Sequence, residues 1–497
     1  MPDSPHIEEA NPLLRESESD YRSSFEYSCN EIDFERNGDS ENPLDWPYSF
    51  KCGIVALLSF MGFTITFTCI SIVPIAGHII EDLNGGVEAK SAAVMLVTIW
   101  ELGEAIGPFF IAPLSEMFGR YRLYLTMNTM FLMTILFAAL SPSTELLIVS
   151  RALMGISVAS NVLNPAIVGD MFIPEQRGTA VSLIMFIPLI GGTVGPVFSG
   201  VIVQSLGWRT IIWISFAMAS ICQLFFFLFF RETYKVQILK QKAMVLQSKK
   251  GSSINNSEKN TRAKLELNGL RDSIMRPIMV LYDSSVLGAL LLFGSFIFAH
   301  FYIVSTTLPD ILEKIYGLSP TATGLAFIAN GLGTVISFII SKVFLDKIYV
   351  KLRALNNGIG LPEYRLPLSI IGALTLPPAV MLYGWCAEYR LPLPILLFTM
   401  IWLRTSIMLA TSPLTAYIVD ACGHYSASAM AGLISIRCLA GAFLPLSMAR
   451  LTDRLGYGGG FSVFGILDII FALIPVLVVR YGAQWRQRSR YTASTLY

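Results

Sequence analysis

Apolar runs long enough to cross a bilayer follow one another along almost the whole chain, and this limits its fold more than any other feature. A helix needs about 20 residues to span the hydrocarbon core. With no water there to satisfy backbone groups, only helices and closed barrels can cross. Runs of that length stand at residues 52–77, 91–113, 123–144, 146–168, 178–206 and 211–230. Six more stand at 284–308, 318–341, 366–387, 391–419, 427–449 and 461–479. Composition agrees, with 54% hydrophobic and only 14% charged residues in a chain of 497, where a soluble domain carries about 25% charged. The expected class is an all-α membrane protein with twelve spans in two sets of six.

Charge divides the rest of the chain. The interval 231–276 holds eleven Lys or Arg against four acids and separates the two sets. Basic residues also gather at Arg120 and Arg122, at 347–365 and at 480–490. With twelve spans these loops share one side, and their positive excess marks it as cytoplasmic. Both termini are expected there, with the 78–90 loop outside. Residues 1–45 carry thirteen acids against three Lys or Arg. They read as a disordered acidic tail, and they lack the basic start and apolar core of a signal peptide. The expected division is tail 1–45, first half 46–230, linker 231–280, second half 281–482 and C-terminal tail 483–497. The sequon at Asn255 falls in the linker, where it is expected to go unused. The seven cysteines are scattered and read as small apolar fillers, not as a disulfide or metal framework.

The two sets repeat one another. Ala180, Pro196 and Gly207 map onto Ala429, Pro445 and Gly456 at one constant offset, and the span ends SLGW and RLGY match. Two parallel six-span halves with a path between them are the architecture of the major facilitator transporters.

Within this scaffold, residues 100–122 are the least expected. Glu101 and Glu104 lie in an otherwise apolar run, three residues apart and so on one helical face. Acids in a bilayer face a cavity or a partner. One reading is proton coupling or recognition of a cationic cargo. The other is an ion pair with Arg151, at a similar depth on the fourth span. Glu116, Gly119, Arg120 and Arg122 form the polar turn that ends the stretch. Gly191, Gly195 and Pro196 give the fifth span a closely packed, bent segment. Arg404, Arg437 and Asp468 are buried charges of the second half, free to pair among themselves or to draw an acidic cargo. His300 is a candidate proton relay. Tyr383, Trp385, Phe216 and the aromatic run 225–230 read as packing. No phosphate-cradling loop, metal-ligand spacing or basic nucleic-acid surface is legible, so neither an enzyme nor a bound cofactor is expected.

The stretches NPLDWP (42–47), WELGEAIGP (100–108), APLSEMFGRYR (112–122), SRALMG (150–155), GDMFIPEQRGTA (169–180) and GGTVGP (191–196) carry a resemblance. So do LPEYRLP (361–367), YGWCAE (383–388) and AYIVDACGHYSASAMAG (416–432) in the second half. The chain resembles fungal major facilitator transporters of the twelve-span drug:proton antiporter group. The resemblance implies a coupling role for Arg151, an exporter motif at Gly191, Gly195 and Pro196, and a latch pairing Arg120 with Asp170. The same switch takes in Glu175 and Arg177, and Glu116 would cap the eleventh span near Ser426–Ser428. The second-half copy of the turn, near Asp346 and Lys347, reads as degraded. The implied activity is export of a small amphipathic molecule, a drug or specialised metabolite, in exchange for protons. It would be carried out by a monomer in the plasma membrane. Transport of polyamines or other organic cations, and nutrient sensing on a transporter fold, stand as alternatives.

Overall fold

The computed structural model describes residues 41–87, 89–173, 176–249, 275, 278–356, 360–422 and 426–489. Among these, eleven helices are long and apolar enough to cross a membrane. The last, Ser428–Arg486, breaks at Gly456 (φ 72°, ψ 177°), so twelve crossings result. Spans 1 to 6 are Tyr48–Leu83, Lys90–Phe118, Arg120–Ala139, Thr144–Met171, Arg177–Leu206 and Arg209–Phe229. Spans 7 to 10 are Ser285–Ile315, Pro320–Leu355, Pro367–Glu388 and Leu393–Cys422. Spans 11 and 12 lie either side of Gly456.

Glycine makes the sharpest reversals. Gly119 (φ 92°), Gly207 (φ 78°) and Gly456 (φ 72°) share a left-handed, otherwise extended backbone, which costs glycine nothing and other residues a steric clash. Gly207 and Gly456 are the pair that the internal repeat makes equivalent, and they turn the chain in the same way.

Three local features add detail to these expectations. Residues 41–45, assigned to the acidic tail, include a short turn, Pro43–Asp45, capped by the Asn42 side chain, with Trp46 buried behind it. Residues 78–83, expected in an outer loop, form the end of helix Ala76–Leu83 because Ile79 and Ile80 bury against the first half. The linker begins as helix Lys235–Lys249. The tail 1–40 and Asn255 lie outside the described residues.

Each half packs its own six spans, and the halves meet chiefly where span 2 crosses span 11 and span 5 crosses span 8. Their polar links lie at mid-depth and at the face away from the linker. At that far face Lys90 Nζ is 2.7 Å from Asp453 Oδ1, and His78 Nε2 is 3.2 Å from Glu313 Oε2. A Cβ on Gly200 would strike the Pro320 backbone of the other half, and one on Gly324 the Pro196 backbone. Side chains there would hold the helices apart. At the linker face the charged networks described next each stay within one half. The molecule is therefore joined at its centre and far face.

Candidate functional site

At mid-depth a short hydrogen bond between side chains ties the two halves. Tyr302 of span 7 donates its hydroxyl to Glu101 Oε1 of span 2 at 2.5 Å. Glu101 is 2% exposed, and its Oε2 has no hydrogen-bond partner. Gly441 of span 11 leaves room for this carboxyl, since a Cβ there would stand 3.3 Å from both Oε2 and the Tyr302 ring. One turn on, Glu104 is held inside its own half. Trp100 Nε1 donates to its Oε2 at 3.2 Å and Asn161 Nδ2 to its Oε1 at 2.6 Å. The two acids of one helical face thus have different partners: Glu101 bridges the halves and Glu104 does not.

Arg151 does not pair with either acid. Its Nη1 and Nη2 donate to the carbonyls of Thr68 (3.1 Å) and Cys69 (2.9 Å), its Nε to Leu96 O (3.4 Å), and its guanidinium lies 4.7 Å over the Trp100 ring. The reason lies in span 1, whose first helix stops at Ile70 ahead of a 3-10 turn through Pro74. A proline supplies no N–H, and a helix end presents bare carbonyls. The buried cation satisfies two of the last ones, as cations do at helix C-termini.

The second-half charges do not pair as a set either. Asp468 Oδ2 faces His300 Nε2 at 3.1 Å, with both side chains buried between spans 7 and 12. His300 Nδ1 faces the Phe296 carbonyl at 3.1 Å. A carbonyl only accepts, so Nδ1 carries a hydrogen. The Nε2–Oδ2 approach is within ion-pair distance but does not make a hydrogen bond, and both atoms are without a hydrogen-bond partner. Arg437 lies 4.7 Å over Phe298, in the field of Glu104 and Glu101. Arg404 Nε donates to Thr334 Oγ1 at 3.0 Å, and its guanidinium lies 4.3 Å over Phe301.

The turn after span 2 is a closed network. Arg120 Nε is 3.5 Å from Asp170 Oδ2, its Nη1 donates to Ser115 Oγ, and its guanidinium lies 5.0 Å over Tyr234. Sequence reading passed over Glu232, filed with the linker. Its carboxylate accepts from the backbone N–H of Arg120 (2.9 Å) and Tyr121 (3.2 Å), capping the first turn of span 3. A Cβ on Gly119 would strike Glu232 Oε2, so glycine is needed here for space as well as for φ. Arg177 Nη2 donates to Gly169 O (3.0 Å) and Phe172 O (3.3 Å), closing the end of span 4. Arg122 is exposed, and Glu175 lies outside the described residues. Glu116 is also exposed, and among the described residues it makes no bond to Ser426 or Ser428. The halves are joined at centre and far face, which leaves the expected cap unmade.

The second-half copy of this turn is intact, contrary to expectation. Arg365 donates Nη1 to Asp346 (2.7 Å) and Nε to Asp420 (2.9 Å), joining spans 8, 9 and 10. A longer loop merely separates the acid from the arginine. Burial alone would lower the Arg365 guanidinium, but the Asp420 and Asp346 carboxylates outweigh it and hold it above its usual value. Behind it Arg486 Nε is 3.3 Å from Glu363 Oε1.

On span 5 the glycines face span 1. A Cβ on Gly191 would stand 2.5 Å from Phe63 O, and one on Gly195 3.1 Å from Phe67 O. Pro196 lies at the crossing with span 8, where its carbonyl meets Gly324.

Two repeated six-helix halves, joined through buried carboxyl and hydroxyl groups at mid-depth, define a multi-pass membrane transporter. The Major Facilitator Superfamily profile matches residues 53–445, and the chain belongs to that family. Its members are transporters, not enzymes. The chain is 30% identical over 471 residues to the MFS transporter cpaT of Aspergillus oryzae, covering 94% of each chain. It is also 30% identical to the efflux pump radE of Floropilus chiversii, over 93% of this chain and 86% of that one. Among solved structures, the xylose transporter XylE of E. coli in an inward-open conformation superposes with a TM-score of 0.63. That match has 15% identity and covers 86% of this chain and 96% of that one.

Proposed function

We propose that the protein exports a small amphipathic compound, a drug or specialised metabolite, in exchange for protons, by alternating access between its halves. The observation that carries this reading is Glu101, a buried carboxyl of one half held by a hydroxyl of the other. A hydrogen bond to a carboxylate is roughly twice as strong as one between neutral groups. Taking up a proton at Glu101 therefore weakens the link between halves, and releasing it restores the link. A group that changes its grip with its proton biases a two-state element. The efflux names of relatives such as radE support the export direction.

Supporting roles follow. Glu104 tunes the charge beside Glu101, and the buried approach of His300 to Asp468 makes Asp468 a second coupling candidate. Arg120, Asp170 and Glu232 form the latch at the linker face, with Gly119 and Arg177 shaping it. Positive charge in the linker-side loops supports cytoplasmic termini; a monomer in the plasma membrane is the setting of this reading.

The test is proton movement in vesicles reconstituted with the full chain, driven by a panel of amphipathic compounds and polyamines. Cargo-dependent proton movement that disappears in Glu101→Gln is expected. Cargo movement without protons would refute the coupling, and transport of polyamines alone would replace the cargo class.

A further inference from the structure

Arg404 is a cation inside the membrane that pairs with no anion among the described residues. It sits on span 10, 8% exposed, among spans 7 and 8. It meets the neutral hydroxyl of Thr334 and the face of Phe301. Its Nη1 is buried and without a hydrogen-bond partner. Among the described residues no carboxylate pairs with it. Arg151, by contrast, holds three carbonyls, and Arg437, whose Nε also lacks a hydrogen-bond partner, lies in the field of Glu104 and Glu101.

Placement makes this imbalance informative. Phe301 is only partly buried, and its ring lies 5.0 Å from that of Tyr302, which reaches across to Glu101 of the first half. Gly333 and Thr334 of span 8 shape the other side of the arginine; a Cβ on Gly333 would crowd its Cβ at 2.8 Å. Two residues before Gly333, Gly331 lies against Thr193 of the first half. The guanidinium therefore stands in the second half beside the junction, over a partly buried aromatic face. A lone buried guanidinium is costly, and the planar fork of Arg matches a carboxylate.

We propose that Arg404, oriented by Thr334 and backed by Phe301, is the anion subsite for cargo, and that the cargo class is small aromatic or amphipathic acids. The carboxylate takes the free Nη1, and the adjoining ring packs on Phe301. This rests on the reading that cargo binds between the halves, and it replaces the breadth of that reading with a charge preference.

The experiment measures equilibrium binding of three matched probes to the purified full chain in lipid nanodiscs: 2-naphthoate, 2-naphthamide and 2-naphthylmethylammonium. The naphthoate is expected to bind on the order of tenfold tighter than the amide, since only the carboxylate brings an opposite charge and two acceptor oxygens to the guanidinium fork. Arg404→Gln removes that preference; Arg404→Lys keeps part of it. Should Arg404→Gln fail to fold, Thr334→Val, which frees the guanidinium to turn, is expected to reduce the preference several-fold. Equal binding of naphthoate and amide, preference for the ammonium probe, absence of saturable naphthoate binding at millimolar concentration, or a preference that survives Arg404→Gln overturns the assignment. Proton movement in vesicles separates the two claims. Loss of the naphthoate preference with Glu101-dependent proton movement intact refutes the subsite alone. The reverse result refutes the coupling alone.

Discussion

Arg151 and Glu101 sit at similar depth with opposite charge, yet each spends its hydrogen bonds elsewhere: the arginine on Thr68 and Cys69 carbonyls, the acid on Tyr302. Two predictions follow from that separation. Exchanging the pair (Glu101→Arg with Arg151→Glu) should give no mutual rescue of transport. Arg151→Met should lower thermal stability in detergent by about 2 kcal/mol, the scale of losing hydrogen bonds from a charged group. Rescue by the exchange would place an ion pair where the structure has none. The His300–Asp468 pair makes a different prediction. Breaking a buried pair from one side strands the other group, whereas apolar replacement of both is often neutral. Asp468→Asn or His300→Ala should each destabilise more than the double variant His300→Leu with Asp468→Leu, as measured by melting in detergent. The two glutamates were legible in the sequence because acids interrupt an apolar run. Tyr302 was not, because one more aromatic in FIFAHFYIVS breaks no pattern. Nor were the partners of Arg151, because backbone carbonyls have no sequence signature.

At the scale of elements, the spans and their six-plus-six order were readable, since apolar length is what a bilayer demands. The repeat makes Gly207 and Gly456 equivalent, and their backbone conformations match. The second-half turn was hidden by loop length: Asp346 and Arg365 meet across an insertion, while their counterparts stand within a few residues. The break in span 1 was hidden because Pro74 lies in an apolar run that reads as continuous. The crossing of span 5 with span 8 carries its own prediction. Gly324→Leu would place a side chain against the Pro196 carbonyl and prevent the far face from closing. Transport should fall at least tenfold while the protein still reaches the membrane, and thiol labelling of a cysteine at position 90 should increase. Full activity in Gly324→Leu would show that the close approach is incidental.

For the whole molecule, the far-face links Lys90–Asp453 and His78–Glu313 must open if access alternates, while Glu101–Tyr302 sits between them and the linker face. Lys90→Cys with Asp453→Cys, in a chain whose Cys29 and Cys52 are serine, should stop transport when joined by a short thiol cross-linker and recover when the link is cleaved. Undiminished transport in the linked protein would mean that the far face need not open. The central claim is that the proton on Glu101 sets how the halves are held. It is tested most directly by electron-spin distances between labels at the exposed linker-face positions Tyr48 and Leu355, measured across pH in nanodiscs. The wild-type distance distribution should shift between two populations as pH changes, and Glu101→Gln should show one distribution at every pH. A pH response retained in Glu101→Gln would contradict the account and move the proton switch to another group.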